Sequence, residues 1–185
     1  MTSWLERRRR RRLRARLPDN PLARFLDTAP PAASTRFADA GFLCLDLETT
    51  GLDAATADLL SVGWVAIADG GVELATAESY LARGAVAVGD SATVHGLTDT
   101  VVATGDDVSE VLGRLLGALA GRVLVVHHAG LDKALLDRLC DRYFGAPLLT
   151  PLIDTLELER RRRRRHHHLD GGGSFSLAAL RSRSS

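Results

Sequence analysis

The spacing of apolar residues along the chain changes several times, and each change marks an element. Over 41–48, GFLCLDLE, apolar and other positions alternate with period two, which predicts a strand carrying Cys44, Asp46 and Glu48 on one side. Thr49, Thr50 and Gly51 then break it. Residues 59–83 contain two β-rich runs around Asp69, Gly70 and Gly71, the pattern of a hairpin beside the first strand. Over 107–120 the period lengthens: Val108, Val111, Leu112, Leu115, Leu116 and Leu119 share one helical stripe, with Asp106 or Asp107 near its start and Gly121 just past its end. Residues 122–126, RVLVV, form a short buried strand running into His127 and His128, and 131–143 form a helix with Leu131, Leu135, Leu136 and Leu139 inward. A strand through Ile153, a helix from about Thr155 into an arginine run, and a further helix beginning at Ser174 complete the series. This order predicts an α/β fold, a mixed sheet with flanking helices.

The ends read differently. Residues 1–17 combine Trp4 and Leu5 with arginines, a basic amphipathic helix, and Pro18, Pro21, Pro30 and Pro31 mark a connector. The expected division is a basic helix and connector over 1–36 and one globular domain over 37–185, in keeping with 185 residues that are 45% hydrophobic. The formal charge of +1 conceals a segregation: Arg7–Arg12 and Arg160–Arg165 are unbroken runs, whereas 43–60 is net acidic and suited to cations. Cys44 and Cys140, the two cysteines, are too few for a disulfide framework and read as small buried hydrophobes. No apolar segment follows Met1, and no run of about 18 apolar residues occurs, so a cytoplasmic protein with no membrane partner is expected.

The candidate chemistry starts at Asp46 and Glu48, two residues apart on a strand end, with both carboxylates on one face. Side by side they repel unless a cation intervenes, and hard oxygen donors suit Mg²⁺ or Mn²⁺ better than zinc. Alone, such a pair reads first as solvent-facing charge. Longer strings narrow the choice. LDLETTGLD, 45–53, resembles the first motif of the DEDD exonucleases, the superfamily of the proofreading epsilon subunit of bacterial DNA polymerase III. VHGLTD, 94–99, resembles the segment before the second motif, and LVVHHAGLDKALL, 124–136, the second motif itself. IDTLELERR, 153–161, and SLAAL, 176–180, are similar to the stretch before the third, so the resemblance covers about residues 40–181.

That resemblance implies a ribonuclease-H-like fold and removal of nucleotides in the 3′-to-5′ direction with two divalent cations, Mg or Mn. It gives Asp46 the bridging position between the ions, Glu48 the nucleophile-side ion and Asp132 the other. Thr49 to Gly51 would approach the terminal nucleotide, with Leu52 against its base and His95 as a further substrate contact. The implied partners are the 3′ end of single-stranded DNA or RNA and a DNA polymerase. In the DEDDh branch the last motif is a histidine followed five residues later by an aspartate, on a helix after the segment that here reads SFSLAALRSRSS. A missing C-terminal helix is therefore expected, and with it loss of the general base and of a fourth carboxylate, each costly to catalysis. The competing expectation is a catalytically inactive module that binds nucleic acid or a polymerase. His166 and Asp170 have near-motif spacing but precede SLAAL and run into Gly171–Gly173, so they read as a solvated loop. Either arginine run can neutralise phosphates. Arg160–Arg165 extend a helix with no apolar stripe and read first as a solvated face.

Overall fold

The computed structural model describes residues 4–83 and 105–165. Helices α1, Trp4–Arg14, and α2, Pro21–Asp27, lead through one 3-10 turn, Phe37–Asp39, into β1, Phe42–Thr49. The hairpin follows as β2, Leu59–Ala68, and β3, Gly71–Leu81. Helix α3, Val108–Leu119, strand β4, Val123–Val126, helix α4, Ala129–Phe144, strand β5, Leu152–Asp154, and helix α5, Thr155–Arg165, complete the described chain. The five strands lie in the order β3-β2-β1-β4-β5. β1, β2 and β3 pair antiparallel, while β4 and β5 continue the sheet parallel to β1. The sheet is therefore mixed, as the element order predicts, and the carboxyl ends of β1, β4 and β5 share one edge.

Local chemistry explains the joints. Asp69 and Gly70 both have positive φ, 50° and 75°, which matches a two-residue hairpin turn to the right-handed twist of its strands. Of the two candidate caps for α3, Asp107 is the one used: its carboxylate accepts the Ser109 N–H at 2.8 Å and is held below its usual range by the Ser109 side chain and backbone. Asp106 instead pairs with Arg114. Close approach is required at Gly105, where a Cβ would come within 2.8–2.9 Å of Leu81 O, Ala82 C and Arg83 N. Nothing at those three positions is a flexible side-chain end, so only glycine fits the joint between the hairpin and α3.

One sheet face builds the main core. Leu43 and Leu45 from β1, Leu124 and Val126 from β4, and the stripes of α3 and α4 are buried together. The opposite face carries Phe42 and Val123 under Ala40, with Val125 and Ile153 beside them. Along β1 that second row continues through Cys44 to Asp46 and Glu48, so the acidic pair stands where the thin apolar layer ends. Cys140 is buried in the main core, and burial pushes its thiol up to about 12, as expected of a cysteine acting as a small hydrophobe; Cys44 is half-buried.

Two sequence expectations change. The proline-marked stretch is not simply a connector: Asn20 caps α2 by accepting the Ala23 N–H at 2.8 Å, Pro21 occupies its first turn, and Leu22, Phe25 and Leu26 enter the main core. A seven-residue helix offers barely two turns of periodicity, and its proline looks like a break. Helix α4 starts at Ala129 rather than 131, because His128 takes a left-handed conformation at its N-cap. The segments carrying His95 and SLAAL, and the pair His166 and Asp170, lie outside the described residues.

Candidate active site

Three strand ends and one helix start converge at the carboxyl edge of the sheet. Asp46 and Glu48 stand on β1, the first exposed and the second half-buried. Their strand is laddered to β2, with Asp46 opposite Gly63, and a bulge between Glu48 and Thr49 turns the chain away from the sheet. Thr49 is buried and its hydroxyl donates to Gly51 O at 2.7 Å, while the Thr50 hydroxyl accepts the Asp58 N–H at 2.8 Å. Arg138 of α4 clamps the same loop from below, donating to the carbonyls of Ala54 and Ala57. At its apex Leu52 is 91% exposed, an apolar side chain held out into solvent by a braced turn.

Asp132 arrives from the other side, on the first turn of α4. Its carboxyl is pushed up to about 6, by burial first and then by the negative charge of Asp46, with Asp154 adding to the effect and His128 and His127 opposing it. Asp46 and Asp132, 86 positions apart by number, are thus close enough to feel each other's charge. The donors are all carboxylate oxygens, the set that suits Mg²⁺ or Mn²⁺. Among the described residues no group of three or more His, Cys, Asp or Glu side chains is gathered tightly enough to hold an ion.

A fourth acid, missed by sequence reasoning, holds this arrangement together. Asp154, the last residue of β5, accepts the His128 and Ala129 N–H groups at 3.0 Å each, and those of Leu156 and Glu157 at 2.9 and 3.4 Å. One carboxylate thereby caps the N-termini of both α4 and α5. Burial alone would raise its pKa, but the backbone donors, Ala129 and His128 foremost, outweigh that and hold it below the usual range. His128 has φ 70° and ψ 66°, a left-handed conformation that costs a non-glycine residue about 1–2 kcal/mol, and the bond from its N–H to Asp154 offsets this. Next door, the Thr155 hydroxyl donates to Val126 O at 3.2 Å, so its contact with His127 Nδ1 at 2.9 Å requires that nitrogen to donate. The only sequence sign of Asp154 is an aspartate directly before a helix, which reads as an ordinary cap. Asp154→Ala is expected to lower stability by about 2 kcal/mol, one cap lost at each helix, in a urea melt.

The family described as Exonuclease, RNase_T, matches residues 43–178. DNA polymerase III PolC-type of Thermotoga maritima is 31% identical over 124 residues, a match covering 67% of this chain and 9% of that protein. The PolC-type polymerase of Streptococcus agalactiae serotype III is 30% identical over 123 residues, 66% of this chain and 8% of its own length. The chain thus corresponds to under a tenth of these curated relatives. Among solved structures, Escherichia coli exonuclease I in complex with an oligonucleotide superposes with a TM-score of 0.69 at 15% identity, covering 79% of this chain and 36% of that one. Exonuclease I in its apo form gives 0.68 at 16%, covering 78% and 37%. At such identities the likeness establishes the fold, a ribonuclease-H-like mixed sheet with flanking helices.

Proposed function

The chain belongs to the RNase_T exonuclease family, and from that premise we propose that it hydrolyses phosphodiester bonds at the 3′ end of single-stranded DNA or RNA, one nucleotide at a time. The observation that supports the reading is the approach of Asp132 to Asp46, on the strand end that also carries Glu48, with burial and the charge of Asp46 together raising the Asp132 carboxyl to about 6. Two divalent cations, Mg²⁺ or Mn²⁺, would be held by Asp46, Glu48 and Asp132. Bound there, they would supply an activated water and charge stabilisation for the leaving oxygen. The protein's own part is to position. Asp154 fixes the start of α4 and so the place of Asp132, and Arg138 fixes the loop that presents Thr49 and Leu52 to the terminal nucleotide.

The raised Asp132 carboxyl makes stability depend on pH. Its folded pKa lies above the ordinary 3.8, so its favourable contribution is complete below that value and is lost as pH rises through about 6. In metal-free buffer at neutral pH, Asp132→Asn is therefore expected to be the more stable protein, by about 1 kcal/mol after allowing for partial exposure, with the gain vanishing near pH 4. Mn²⁺ is expected to raise the melting temperature of the wild type and not of the variant. Equal melting temperatures at neutral pH and near pH 4, with or without Mn²⁺, would remove Asp132 from the site.

A second reading, an inactive module that binds nucleic acid or a polymerase, is favoured by the lack of a three-donor group among the described residues. Incubating the protein and Mn²⁺ with one oligonucleotide labelled at its 3′ end and another labelled at its 5′ end separates the two. Release of mononucleotide from the 3′ label, with a ladder of shortened 5′-labelled products, supports hydrolysis from the 3′ end. Intact label at high protein concentration, with the oligonucleotide still bound, makes the chain a binding module.

A further inference from the structure

The two arginine runs, alike in sequence, have opposite surroundings. In α5 the guanidinium groups of Arg161 and Arg164 pair with Glu157, and those of Arg162 and Arg163 with Glu159. Four of the six arginines of that helix are thus held by two glutamates of the helix itself. Helix α1 has seven arginines and one glutamate. Arg14 pairs with Asp27. Arg10 turns inward to the carbonyls of Leu149, Phe25 and Thr28, and Leu13 packs on the main core. These inward anchors fix the rotation of α1 about its axis.

The face turned outward by that rotation carries Trp4, Arg7, Arg8 and Arg11, at the i, i+3, i+4, i+7 spacing of a single helical stripe. Trp4 is 66% exposed, and the Arg8 guanidinium lies 5.5 Å from its ring centroid. Among the described residues Arg7, Arg8 and Arg11 have no carboxylate partner. Seven residues of helix span about 10 Å, the reach of a few nucleotides. On its other side the helix meets α4: Glu6, Arg9 and Arg10 line one cavity with Lys133.

We infer that the outward face of α1 is a binding track for single-stranded nucleic acid, in which Arg7, Arg8 and Arg11 neutralise phosphates and Trp4 stacks on a base. The inference rests on the nuclease reading for its direction, since it places the track upstream of the 3′ end held at Asp46 and Asp132. Its chemistry is a row of fixed cations with an exposed aromatic ring, the combination that holds single strands without regard to sequence.

The test is binding of a fluorescent single-stranded oligonucleotide of about 20 nucleotides in EDTA, followed by anisotropy across a salt series. The variants are Arg7→Gln/Arg8→Gln/Arg11→Gln, Trp4→Ala and, as a control on the self-paired helix, Arg161→Gln/Arg164→Gln. Loss of three phosphate contacts is expected to lower the slope of log affinity against log salt by about 2. Trp4→Ala is expected to lose about tenfold in affinity and the oligonucleotide-induced quenching of tryptophan fluorescence, with the control pair unchanged. All the altered α1 side chains are exposed, so melting temperatures should stay at the wild-type value. An unchanged salt slope in the triple variant overturns the track. So does a wild type that binds phosphatidylserine vesicles and no oligonucleotide. Because binding is read without metal, α1-dependent binding by a chain that releases no nucleotide still supports the track and overturns only the nuclease reading.

Discussion

Asp46→Ala is expected to reduce Mn²⁺-dependent release of 3′-terminal nucleotides by about a thousandfold, the several kcal/mol that a metal carboxylate contributes to charge stabilisation. The loss would be one of chemistry and not of folding. Asp46 is exposed, its backbone is held in the ladder opposite Gly63, and its side chain packs against no part of the main core. The melting temperature of the metal-free variant should accordingly equal or exceed that of the wild type, because the charge that raises the Asp132 carboxyl has gone. A useful control is Asp53→Ala, a few residues away in the same acidic stretch. The Asp53 carboxylate accepts the Ala55 N–H at 3.0 Å within its own turn, so its loss should change the rate only by the few-fold that a looser turn allows. A single-turnover assay with a 3′-labelled oligonucleotide measures both. Equal rates for wild type and Asp46→Ala would remove the carboxylate edge from the chemistry.

The largest stability effect is expected at Arg10. The residue is 5% exposed, and its guanidinium donates to Leu149 O and, at 3.0 Å each, to Phe25 O and Thr28 O. It also lies 4.7 Å from the centroid of the Phe25 ring. Burial pulls its pKa down, which marks the cost of keeping it charged there. Removing the fork takes a donor from the Leu149 and Thr28 carbonyls, leaves Phe25 O with the Thr28 N–H alone, and cuts α1 loose from α2 and from the segment entering β5. Arg10→Ala is therefore expected to destabilise by about 3 kcal/mol in urea unfolding, while the exposed neighbours Arg9→Ala and Arg11→Ala stay within about 0.5 kcal/mol. Arg10→Lys should recover only part of the loss, since one ammonium group cannot copy a planar fork spread over three acceptors. Comparable effects at positions 9, 10 and 11 would show that α1 is not anchored through Arg10.

Much of this architecture was legible because each signal repeats over enough residues. The alternation in β1 put Cys44, Asp46 and Glu48 on one side, the Asp-Gly-Gly turn fixed the hairpin, and the six-residue stripe of α3 fixed its buried face. Asp132 entered through the resemblance of LVVHHAGLDKALL to the second DEDD motif, and in the fold its carboxyl feels the charge of Asp46 at the edge where the parallel strands β1 and β4 end. What stayed hidden rests on one residue or on a segment too short to repeat a signal. Arg10 is identical in type to its neighbours, and only its phase with Leu13 and Leu17, three and seven positions on, sets it apart. Asp154 looks like any aspartate before a helix, since its second pair of donors, His128 and Ala129, is far away in the chain. Helix α2 is too short for a period, and its helix-starting proline resembles a linker. The difference between the two arginine runs lay in the glutamates one turn earlier in α5, a signal present in LELERRRRRR and absent from the outward face of α1.

Calorimetric titration of Mn²⁺ into the wild-type chain and into Asp46→Ala, at neutral pH and without nucleic acid, bears most directly on the carboxylate edge as a cation site. Saturable binding by the wild type that is lost in the variant is the expected result. Binding of equal affinity in both proteins, or none in either, would contradict it.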